Sequence, residues 1–116
     1  MRILFDKNVP VGVRRFLLKH EVRTVVEMGW PDQIENGELL TAAEQAGFDV
    51  MVTSDQNIRY QQNLTGRNLA LVVLGSNIWP LVWEYGDAIA MCVDGAGQGS
   101  YDFIEMPLPP KPARHA

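Results

Sequence analysis

The sequence predicts an α/β domain built on a central, mainly parallel sheet of four to five strands. Short strand-like segments recur at 2–6, 20–27, 49–55, 69–75 and 101–106, the second of them rich in β-branched residues. Segments with helical spacing of apolar residues separate them, and a β-α-β-α alternation implies parallel strands with crossover helices on both faces. The runs Val50–Val52 and Leu69–Leu74 are continuously apolar, as in strands covered on both sides.

Taken in order, "RILFD" (2–6) reads as a short buried strand. Pro10 suits the first turn of a helix, in which Val9, Val13, Phe16 and Leu17 form a stripe and Arg14, Arg15 and Lys19 lie outside it. "HEVRTVVE" from His20 is a second strand, and "MGWPDQIENG" a long connection dense in turn formers. "ELLTAAEQAG" is a helix with Asn36 as its expected cap and Gly47 as its end. "DVMVTSD" is the third strand, followed by a polar short helix and loop, "QNIRYQQNLTG". "LALVVLG" is the fourth strand; Pro80 opens one last helix with Leu81, Tyr85, Ala88, Ile89 and Cys92 on its buried side. "YDFIEM" is an edge-like fifth strand.

The 116 residues fit a single domain over 1–106, with 107–116, "PLPPKPARHA", expected as a flexible proline-rich tail. No stretch approaches the roughly 18 apolar residues of a membrane span, and "MRILFDK" is not expected to be a signal peptide. The single cysteine, Cys92, excludes an internal disulfide or a Cys-rich zinc site and suits a reducing cytoplasm. A net charge of −4 argues against a passive, charge-driven nucleic-acid binder, but not against an enzyme that uses cations to meet phosphate.

The chemistry sits at strand ends. In parallel α/β sheets ligands bind beyond the carboxyl ends of the strands, near the point where strand order reverses. Asp6 closes the first strand and Asp55 the third; Glu38 lies in the first turn of the second helix, which starts at that rim. If the first and third strands are neighbours, these acids converge. Such repulsion is tolerated around a cation, and hard oxygen ligands suit Mg²⁺ or Mn²⁺. The alternatives are plain: Asp55 as a helix cap, Asp6 as a turn residue, Glu38 as a favourable first-turn charge. Arg14, Arg15, Arg59 and Arg67 are candidates to guide a phosphate backbone, and Trp30, Trp79 and Tyr60 to stack bases or to pack. "GAGQG" follows a helix and precedes a strand, the reverse of a dinucleotide fingerprint.

"ILFDKNVP" with its basic amphipathic helix, "HEVRTVVEMGW", "NGELLTAAEQAGFDVMVTSDQNI" and "LALVVLG", in that order, resemble the small PIN-like proteins, and through them the toxin half of VapC-type toxin–antitoxin pairs. The resemblance covers roughly residues 1–80. It implies a three-layer α/β/α PIN-like sandwich and a Mg²⁺- or Mn²⁺-dependent ribonuclease. In that case Asp6, Glu38 (or the nearby Glu35) and Asp55 would be the metal-binding and catalytic acids. Asn8, Thr53, Ser54 and Asn57 would orient them. An RNA substrate and a cognate antitoxin are the implied partners, with a homodimer left open. The sequence departs from the pattern at Asn57, where a further acid is common, and at Lys7; loss of the Asn57 charge would weaken a second metal site most. A silent PIN-like binding protein is therefore one alternative. Another is a signalling receiver, with Asp55 as phosphoacceptor, Ser76 after strand four and Lys111 in a "KP" pair, although Lys7 stands where a receiver wants a second acid.

Overall fold

The computed structural model describes residues 1–58, 64 and 66–108. Five strands, β1 (Arg2–Phe5), β2 (Glu21–Thr24), β3 (Val50–Thr53), β4 (Ala70–Leu74) and β5 (Tyr101–Ile104), form one sheet in the order β2-β1-β3-β4-β5. Every neighbouring pair is parallel. The chain starts one strand in from an edge, adds β2 on that side and β3 to β5 on the other. The order therefore reverses between β1 and β3, the neighbours on which the convergence of Asp6 and Asp55 depends.

Side-chain alternation divides the apolar residues between the two faces of the sheet. Ile3, Phe5, Val50, Val52, Val72 and Leu74 join one core cluster; Leu4, Met51, Leu71 and Val73 join another. The second cluster is closed by α1 (Asn36–Gln45), through Leu39, Leu40 and Ala43, together with Phe48 and Val25. Gly47, at φ +82°, ends that helical segment in the left-handed region, where glycine carries no Cβ penalty. Trp30 packs edge-on to Phe48 at 6.3 Å, so it serves this core and the connection above it.

The first cluster is covered differently. The segment after Pro10 is a 3-10 helix, Val11–Phe16, not the α-helix its spacing suggests. The expected single last helix is two, α2 (Trp79–Trp83) and α3 (Gly86–Asp94). At each departure a glycine makes room for an aromatic ring. A Cβ on Gly12 would lie 2.6 Å from the Trp79 ring, and one on Gly86 would lie 2.3 Å from the Phe16 ring. The glycines thus admit the Phe16–Trp79–Trp83 aromatic cluster, whose centroids stand 5.6–6.2 Å apart. Tyr85, at φ −108° and ψ 18°, makes the bend between α2 and α3, and its hydroxyl donates to the Pro107 carbonyl at 2.7 Å. Within α3, Cys92 is half-buried rather than sealed; burial, then the nearby Asp102 charge, raises its thiol pKa, so it is not an activated thiol. Among the described residues no helix is long and apolar enough to cross a membrane.

Candidate functional site at the β1–β3 rim

The register brings the site residues together. Phe5 pairs with Val52, and the Asp6 backbone N–H continues the ladder by donating to the Val52 carbonyl at 2.9 Å. Asp6 and Thr53 are then the next pair along, on the face that carries Leu4 and Met51. Both are buried, Asp6 at 8% exposed and Thr53 at 0%, and they are the only polar or charged residues buried as a whole among the described residues.

A buried carboxylate requires donors. The Asp6 carboxylate accepts at Oδ1 from the Lys7 N–H at 2.8 Å and at Oδ2 from the Thr53 hydroxyl at 2.7 Å. Thr53 Oγ1 in turn accepts the Asp55 N–H at 3.1 Å. One hydroxyl thus donates to the first acid and takes a backbone bond from the second. Asn8 closes the other side: its Oδ1 accepts the Ser54 N–H at 3.0 Å, and its carbonyl accepts the Ser54 hydroxyl at 3.4 Å. Asp55, half-buried, accepts at Oδ1 from the Asn57 N–H at 3.0 Å. It accepts at Oδ2 from the Asn36 side-chain amide at 2.9 Å.

A longer contact of 3.4 Å from Thr53 Oγ1 to Asn8 Oδ1 joins Asp6, Asn8, Thr53, Ser54, Asp55 and Asn57 into one network, in which Asn57 uses its backbone. Asn36 corrects the expectation of a helix cap. It is the first residue of α1, the N-cap is Glu35, and no side chain caps that position. Glu35 and Glu38 are both exposed. Glu38 lines an open groove on the outer face of α1 with Ile34, Gly37, Thr41, Ala42 and Gln45. Among the described residues no group of three His, Cys, Asp or Glu side chains is placed to hold a metal ion. The rim thus presents two linked carboxylate residues, with Glu38 in the first turn of the helix that touches Asp55.

The expected phosphate-guiding arginines are distributed more widely. Arg14 pairs with Glu27 at 2.5 Å, and Arg67 pairs with Glu44 at 2.6 Å. The Arg15 guanidinium lies over the Trp83 ring at 5.0 Å. Arg59 and Tyr60 lie outside the described residues. Ser76 accepts the Ile78 N–H at 3.1 Å, the turn chemistry that leads into α2.

Sequence reasoning singled out Asp6 and Asp55, which the structure links through Thr53, and gave Asn36 only as a helix cap. No local signal gave its partner away, since asparagine is the better cap of the Glu35–Asn36 pair. The chain matches no protein-family model, and no curated protein or solved structure was found to match it.

Proposed function

We propose that this protein is a PIN-like, Mg²⁺- or Mn²⁺-dependent endoribonuclease with a three-layer α/β/α build. The observation that carries the proposal is the coupling of the buried Asp6 carboxylate, through the Thr53 hydroxyl, to the backbone of Asp55 at the point where strand order reverses. Hydrophobic packing alone gives no reason to bury a carboxylate there, since an unpaired charge in that position is costly.

The donor set fits such an ion. Each carboxylate oxygen of Asp6 and Asp55 accepts one protein hydrogen bond, and an ionised carboxylate offers about four lone-pair sites. Mg²⁺ is commonly held by one or two carboxylates, keeping waters and substrate phosphate for the rest. Asp6 and Asp55 would hold the ion, while Glu38 lines the groove on the outer face of α1. When bound, the ion activates water and stabilises the leaving oxygen at phosphorus. The chain's own contribution is orientation. Thr53 and the Lys7 N–H fix Asp6, while Asn36 and the Asn57 N–H fix Asp55. Arg15, the ion-paired Arg14 and Arg67, and Arg59, which lies outside the described residues, are the cations offered to an RNA backbone. A cognate antitoxin covering the rim and a cytoplasmic setting belong to the same proposal.

Incubation of the purified protein with Mn²⁺ and structured RNAs tests it. Cleavage by the wild type that is lost in Asp6→Ala is the expected result; equal cleavage by both sinks the proposal. The strand order favours a second reading, a receiver-like phosphoacceptor at Asp55, because that fold class also reverses between its first and third strands. Uptake of phosphate by Asp55 from acetyl phosphate would select it. Absence of both Mn²⁺ binding and phosphate uptake would leave the silent binding protein.

A further inference from the structure

Asn36 breaks a local rule. A side-chain N-cap ordinarily stabilises a helix start, yet α1 begins without one although an asparagine stands beside the cap position. The Asn36 Nδ2 donates to the Asp55 Oδ2, 19 residues away in sequence, at 2.9 Å. Departures of this kind, where a helix start forgoes its own preference, concentrate at functional sites. Asp55's other donor, the Asn57 N–H, belongs to its own turn and travels with it. The Asn36 bond differs because it comes from another element and so fixes Asp55 relative to α1 and the core beneath it.

We infer that Asn36 is a positioning residue that orients the Asp55 carboxylate for the metal ion, tying the start of α1 to the β1–β3 rim; the metal part of this rests on the nuclease proposal. Removal of such outer hydrogen bonds typically weakens metal binding by about 10–100-fold. The side chain acts through Asp55, so the readout must be Asp55's ligand and not stability alone.

The test is a calorimetric Mn²⁺ titration of the wild type, Asn36→Ala and Asn36→Ser, with thermal unfolding of each. Serine retains the preference for helix starts without the amide, so it keeps the comparison valid should the alanine variant fold poorly. The expected result is a Tm close to wild type with Mn²⁺ affinity reduced about tenfold in the substituted chains. In the wild type, Mg²⁺ should also move the Asn36 side-chain amide and Asn57 backbone amide resonances together. Wild-type binding with equal affinity in the variants overturns the role of Asn36 alone. No binding by the wild type overturns the nuclease proposal and this inference with it.

Discussion

Two stretches of the same sheet rim show opposite solutions to ending a parallel strand. At β4–β5 the chain closes on backbone. The Gly75 N–H donates to the Ile104 carbonyl at 2.9 Å, and a Cβ on Gly75 would lie 2.9 Å from both the Ile104 oxygen and the Met106 nitrogen. At β1–β3 the chain closes on side chains: Asp6, Thr53, Asn8 and Asp55 satisfy one another and neighbouring N–H groups. The sheet beneath is continuous and parallel in both places. The strand therefore determines only where a residue is delivered, and residue type determines whether that place is sealed or chemically open.

The largest difference is expected in chemistry. Asp6→Ala should reduce Mn²⁺-dependent RNA cleavage to background, while a Gly75 substitution that still folds should leave residual cleavage. The two rims then separate in a gel assay. Next, Gly75→Ala should destabilise by about 1–3 kcal/mol, because the added carbon meets backbone that cannot turn aside. Urea unfolding reads this as a lower midpoint. Thr53→Val keeps volume but removes the donor to Asp6 and the acceptor for the Asp55 N–H. It should cost about 1–3 kcal/mol by the same measurement and also weaken Mn²⁺ binding. A Thr53→Val chain as stable as wild type would mean that the polar rim is not held by this hydroxyl.

Smaller effects should lie away from both rims. Glu44 is held below its ordinary 4.5 by the Asn68 N–H and then Arg67. Glu27 is lowered by the Thr24 N–H and then Arg14, and Asp94 by His20 and then Lys19. All three folded-state values are depressed, so their stabilisation is full above the unfolded carboxylate values and is lost as pH falls through the folded ones. Tm should therefore be level above about pH 5 and decline below it. A decline on the alkaline side of neutrality would not come from these groups. Smallest of all, Glu44→Gln should cost no more than about 1 kcal/mol, since its partner Arg67 is itself partly solvated.

What the sequence made legible follows the same division. The buried strands were readable because continuous apolar runs have few other uses, and Asp6 and Asp55 stood out as charges at their ends. The broken last helix and the 3-10 segment were not, because Gly12 and Gly86 take their meaning from the Trp79 and Phe16 rings they admit, contacts remote in sequence. Asn36 was read as a cap because local chemistry favours one, and a tertiary partner, Asp55, won. Glu38 followed the period of its helix correctly, yet spacing alone does not reveal that its side chain faces an open groove. Arg14 and Arg67 were counted as available cations since their partners, Glu27 and Glu44, are 13 and 23 residues distant.

The central claim is that the β1–β3 rim holds a divalent cation. Calorimetric titration of Mn²⁺ into the wild type and into Asp6→Asn, which preserves side-chain shape while removing the charge, addresses it most directly. The expected result is saturable binding by the wild type that disappears in Asp6→Asn, with both chains folded by circular dichroism. Absence of binding at millimolar Mn²⁺, or undiminished binding by Asp6→Asn, would contradict it.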